Sequence, residues 1–171
     1  KGITAEALCA LGPNGESALL WLSGTPDGPK ILNKLIEQKP ALIKGIKAEA
    51  LCALGPNGKS TLLGLSYSEG GLIILNKLIE ENPALIKGIT AETLCALRPS
   101  GQSALFWLSA TLDGQLILNK LIEENPDLIK GITAEALCAL GPNGQSPLIC
   151  LSCSVGGLII LNKLIEENPA L

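Results

Sequence analysis

The chain has 171 residues, 47% of them apolar but only 2% aromatic, and a formal net charge of −3. A core made without aromatics falls to Leu, Ile and Ala, which favour helices over strands, so the composition predicts an all-α protein. The acidic balance supplies no cationic field to displace counterions from a phosphate backbone, which argues against nucleic acid as a partner.

Lys1, Lys44, Lys87 and Lys130 open four copies of one 43-residue repeat, and Asn33, Asn76, Asn119 and Asn162 share a later slot in it. The copies run 1–43, 44–86, 87–129 and 130–171 and predict one continuous array over 1–171. Units that bury an apolar face only against their neighbours stack as a solenoid.

Three helices are expected per copy. In the first, Thr4 is a natural N-cap, with Glu6 in the first turn, for a helix over 5–11 whose apolar face is Leu8 and Leu11 and which Gly12-Pro13 stops. A turn at Asn14-Gly15 leads to Ser17, the cap of a second helix carrying Ala18, Leu19, Leu20, Trp21 and Leu22. The loop 24–28 reverses the chain. A third helix then spans about Pro29 to Gln38, with Ile31, Leu32, Leu35 and Ile36 on one side and Asn33, Lys34 and Glu37 on the other, until Lys39-Pro40 ends it.

The stretches Asn143-Gly144-Gln145-Ser146-Pro147-Leu148 and Ser100-Gly101-Gln102-Ser103-Ala104-Leu105 resemble the Gly-x-Thr-Pro-Leu-His opening of an ankyrin repeat. The segment 113–125, Asp-Gly-Gln-Leu-Ile-Leu-Asn-Lys-Leu-Ile-Glu-Glu-Asn, is similar to that family's Gly-x-x-x-Ile-Val-x-x-Leu-Leu-x-x-Gly. The resemblance covers about two thirds of every copy, in phase four times. Two departures qualify it. The family His is replaced by Leu20, Leu63, Phe106 and Ile149, and about ten extra residues, the Ile-Lys-Gly-Ile-Thr-Ala-Glu-Ala-Leu region, stand where ankyrin repeats have a β-hairpin. The resemblance therefore implies ankyrin-like helix pairs plus an additional helix in place of the hairpin. An armadillo-like three-helix repeat is the competing reading.

Four of the six cysteines, Cys9, Cys52, Cys95 and Cys138, occupy one slot. Adjacent copies of a slot in a helical stack lie roughly 8 to 10 Å apart, beyond the roughly 7 Å a disulfide tolerates. They read as small buried apolar side chains, free thiols in a reducing compartment. No Asn-x-Ser/Thr sequon occurs, and the repeat begins at the first residue with no leader in this stretch. A cytoplasmic location is expected, or the host cytosol if the chain is a bacterial effector of the kind the resemblance also implies.

Several motifs invite stronger readings. Gly55-Pro56-Asn57-Gly58-Lys59-Ser60-Thr61 resembles a phosphate-binding loop, but it has too few residues between its first Gly and the Gly-Lys pair, and no strand is expected before it. Cys150-Leu151-Ser152-Cys153 has the spacing of a thiol pair, yet the chain has no histidine and no second such pair, so no zinc site or other cofactor is expected. The uncharged stretch 136–162 could span a bilayer in length, but Pro142, Asn143, Gly144, Pro147, Gly156 and Gly157 interrupt it. The acids recur at solvent-facing slots such as Glu37, Glu80, Glu123 and Glu166 and form no catalytic constellation. No enzyme, cofactor or membrane span is expected.

The copies differ most at the slot filled by Trp21, Gly64, Trp107 and Cys150, with Tyr67 in the loop-side slot that follows. If the ankyrin resemblance holds, this slot faces the concave recognition surface. Trp21 and Trp107 are then candidate anchors for a protein partner, with Gly64, Tyr67 and Cys150 beside them. The alternative is that both tryptophans pack inside the array. The expected function is a non-enzymatic protein-interaction scaffold. Ile3, Leu8 and Leu11 at the start and Ile160, Leu161, Leu164 and Ile165 at the finish match interior copies rather than polar caps, which implies either that flanking repeats have been removed or that the units stack end to end, the latter making a structural, self-assembling protein the rival reading.

Overall fold

The computed structural model describes residues 2–171, apart from the side chain of Pro56; Lys1, which opens the first copy, lies outside the described residues. Among the described residues the regular structure is all helical, with no strand. Copy one contributes α1 (Ala5–Cys9), α2 (Ala18–Gly24), α3 (Gly28–Gln38) and α4 (Ala41–Gly45), the last crossing into copy two. Copy two contributes α5 (Ala48–Cys52), α6 (Thr61–Tyr67), α7 (Gly71–Glu81) and α8 (Ala84–Gly88). Then follow α9 (Ala91–Cys95), α10 (Ala104–Ser109), α11 (Leu112–Glu124) and α12 (Asp127–Gly131), and finally α13 (Ala134–Cys138), α14 (Pro147–Ser152) and α15 (Val155–Glu167).

The expected caps form. The hydroxyls of Ser17, Ser60, Ser103 and Ser146 each accept from the backbone N–H three residues on, at 3.1 to 3.3 Å, and Thr4 does the same for Ala7. Two expectations need correction. The period holds a fourth helical segment, because Pro40, Pro83 and Pro126, with φ between −57° and −60°, both end one helix and supply a ready first turn for the next. Helix α1 also stops at Cys9 rather than Leu11. The Gly12 N–H turns back to the Glu16 carbonyl at 2.7 Å, and Gly55, Arg98 and Gly141 close the same loop in the other copies. Leu11 is consequently 59% exposed instead of facing the core.

The chain divides into two compact units, Lys1–Ile89 and Thr90–Leu171, each holding two copies of the repeat. In the first unit α2 lies along α6 and α3 along α7, enclosing Leu51, Leu62, Leu65, Leu75, Leu78 and Ile79. In the second, α10 lies along α14 and α11 along α15, enclosing Leu105, Leu108, Leu118, Leu121, Leu151 and Leu164. Each such side chain contributes about 1.5 to 3 kcal/mol by leaving water.

Two further devices fasten copy to copy. A Cβ on Gly45 would lie 2.6 Å from that of Ala5, and one on Gly131 2.4 Å from that of Ala91, so this slot stays glycine where two short helices touch. The Asn82 amide donates to the carbonyls of Ile43 (3.2 Å) and Ile46 (3.0 Å), and Asn168 donates to those of Ile129 and Ile132 at 2.9 Å each. One side chain thus satisfies two main-chain acceptors at the end of the preceding copy's short helix.

All six cysteines are free. The repeated slot is not the buried one expected: Cys9, Cys52 and Cys95 are half-buried and Cys138 is exposed, since the slot is the last residue of each short helix. Burial pushes the Cys95 thiol up to about 11. An alkylating reagent at pH 8 should therefore modify the exposed Cys138 and Cys153 first and Cys95 last. Mass spectrometry of peptides from a time course checks the order.

Candidate functional site

Within the first unit, the variable slot becomes a groove between α2 and α6. Its geometry follows from an exchange of large and small residues. Trp21 and Gly64 fill one slot in neighbouring copies, and Gly24 and Tyr67 another; all four line the cleft, Tyr67 closing on Gly24 and Gly64 packing on Ser23, so that the two rings border a gap. The cleft has a volume of about 190 Å³. Leu20 and Leu63 supply its apolar lining, Trp21 and Tyr67 two aromatic walls, and Glu16 and Lys59 its charged lip.

Each group is held in place. Trp21 is 51% exposed, and the Lys59 ammonium of the next copy sits 5.1 Å from its ring centroid, a cation–π contact that orients the indole. Tyr67 reaches across the copy junction and donates its hydroxyl to the Gly24 carbonyl at 3.0 Å. A Cβ on Gly24 would come within 2.9 Å of that hydroxyl oxygen. Gly64 is buried against Ser23, whose Oγ would lie only 2.2 Å from an added Cβ. The Ser23 hydroxyl is itself committed, donating to the Leu20 carbonyl at 2.7 Å.

Of the predicted site residues, Trp21, Gly64 and Tyr67 come together in this groove. Trp107 and Cys150 belong to the second unit, on α10 and α14. Trp107 is half-buried and meets Phe106 edge to face, with ring centroids 5.2 Å apart. Cys150 is half-buried, and burial, then the neighbouring Cys153, push its thiol up, away from a reactive thiolate. Sequence reasoning missed Lys59 and Glu16, which share one slot and which it read as turn residues. The signal was the single Lys in a slot otherwise filled by Glu16, Gln102 and Gln145.

The loop resembling a phosphate-binding motif is the junction turn before α6. Asn57 (φ 59°) and Gly58 (φ 68°) both take left-handed conformations there, and the Gly55 N–H is spent on the Lys59 carbonyl at 2.7 Å. Among the described residues, no helix is long and apolar enough to cross a membrane. Stretch 136–162 is broken into α13, a turn, α14 and most of α15. Compared with family models, curated proteins and solved structures, the chain finds no match in any of the three, so what the groove does is read from its own residues.

Proposed function

We propose that the chain is a non-enzymatic recognition scaffold, an ankyrin-like α-solenoid of four copies, that holds an extended protein segment on its concave face and seats one large side chain in the Trp21–Tyr67 groove. The observation that carries this reading is the exposed Trp21, kept in a fixed orientation by Lys59 beside an open apolar cleft. The cleft's size favours a side chain: about 190 Å³ falls below the roughly 300 to 1,000 Å³ of small-molecule sites. Aromatic anchors ringed by charge suit a protein partner, and Lys59 at the lip favours an acidic residue next to the inserted group. The 43-residue period supports the four-copy stack.

Selection from a displayed library of random peptides tests the reading. Enriched sequences should carry a large apolar residue flanked by Asp or Glu. Trp21→Ala should weaken their binding about 30-fold, the loss of roughly 2 kcal/mol expected of an interface anchor. Binders indifferent to Trp21 would remove the groove from consideration.

A further inference from the structure

The lip of the groove carries one charge of each sign, and the two come from opposite walls. Glu16 stands just before α2 and Lys59 just before α6, in one slot of neighbouring copies, and both line the cleft half-buried. Among the described residues they form no ion pair with each other. The Lys59 ammonium is turned instead onto the Trp21 ring, 5.1 Å from its centroid. The second unit has no such pair of charges: Gln102 and Gln145 fill the slot, and Gln102 accepts from Arg98 Nη1 at 3.3 Å. Folding does not call for charge here, because the serine caps that follow the slot form alike in all four copies. Opposite charges therefore occupy this slot only where a cleft lies between them.

We infer that this lip selects the charge pattern of the bound segment: one large apolar residue flanked by an acid on one side and a base on the other. This deepens the groove reading above and rests on it. Lys59 attracts the acid and Glu16 the base, and half-buried charges are screened less by salt than exposed ones. Each charge also repels its own sign, so the lip works by exclusion as well as by attraction. A segment with two acids loses at Glu16 what it gains at Lys59, and a segment with two bases does the reverse. Only the mixed segment gains at both walls. Its apolar residue fills the space bordered by Leu20, Leu63, Trp21 and Tyr67, while its two charges stay at the rim.

Fluorescence polarisation with short synthetic peptides tests this. The peptides share a central phenylalanine in a glycine-serine background and differ only in the residues that flank it: Asp and Lys in either order, Asp on both sides, Lys on both sides, or Ser on both sides. The tighter of the two mixed peptides should bind the parent chain about fivefold better than either like-charged peptide, the upper value for a surface charge pair. Glu16→Gln should bring the doubly acidic peptide level with the mixed one, and Glu16→Lys should make it the tightest of the set. Each replacement already occupies this slot in another copy, so neither disturbs the fold. Equal affinities for all charged peptides, with binding still weakened by Trp21→Ala, overturn the charge selection and leave the groove reading standing. A like-charged peptide that binds the parent chain best overturns it too. Binding that Trp21→Ala does not change, or no binding by any peptide, overturns the groove reading and this inference with it.

Discussion

Gly71→Ala should destabilise the protein by about 3 kcal/mol, the upper part of the range for overfilling a packed site. Gly71 opens α7, where the long helix doubles back over the end of α6. A Cβ there would lie 2.3 Å from the Leu65 carbonyl oxygen and 2.4 Å from Ser68 Oγ. The serine can rotate away. The Leu65 carbonyl belongs to helix α6 and cannot. The same collision recurs at Gly28, Gly114 and Gly157, whose added Cβ atoms would sit 1.9, 2.5 and 2.1 Å from the carbonyls of Leu22, Leu108 and Leu151. A useful control is Gly144→Ala. That residue has φ 69° but nothing within 4 Å of a new Cβ, so its cost is limited to the left-handed backbone, about 1 to 2 kcal/mol. Urea unfolding of both variants separates the two effects. Gly71 itself is helical rather than left-handed, so a loss below about 1 kcal/mol at Gly71→Ala would mean that the two helices shift to admit the methyl group and that their close approach does not keep this slot glycine.

Asn168→Asp should cost a similar amount, and the penalty should depend on pH. Asn168 is buried and gives both amide hydrogens to the carbonyls of Ile129 and Ile132. A carboxylate donates nothing: it strands two acceptors and brings a charge toward them, each stranded group costing about 1 to 3 kcal/mol. Burial beside two carbonyls disfavours the ionised form, so the folded state holds its proton to higher pH than the unfolded chain does. By linkage the stability supplied by the protonated carboxyl, which can still donate one bond, is complete below the unfolded-state value and is lost as pH rises through the folded one. The variant should therefore recover part of the deficit on acidification, measured relative to the parent chain at each pH. Asn168→Ala, which leaves the carbonyls bare but adds no charge, should show a loss of about 2 kcal/mol with no such recovery. A pH-independent Asn168→Asp deficit would show that water, not the amide, satisfies these carbonyls.

What could be read in the sequence was local and repeated. Four serines at one slot, each followed by apolar residues at helical spacing, announce four capped helices, and all four caps form. The same logic failed where a residue had two roles. Pro40 reads as a terminator, and it is one, but its fixed φ of −57° also starts α4. Leu11 fits the apolar stripe of a helix, yet the helix has ended before it, because the Gly12 N–H is claimed by Glu16 across the turn. The groove was half legible. The alternation of Trp21 with Gly64 marked the slot, since large beside small leaves space. Lys59 could not be assigned, because its contact with Trp21 spans a copy junction whose register only the packing of α2 on α6 defines.

The amide clamp also bears on how such a chain changes over time. Asn82 and Asn168 grip main-chain oxygens, which every residue type presents alike, so a seam closed in this manner is blind to which particular module lies on either side. Gain or loss of whole 43-residue modules that carry the asparagine, as copies two to four do and copy one with Lys39 does not, preserves this part of the seam. A change of any other length moves the asparagine out of reach of the two carbonyls and should destabilise the fold. Lineages carrying this architecture should consequently differ in module number far more readily than in module length.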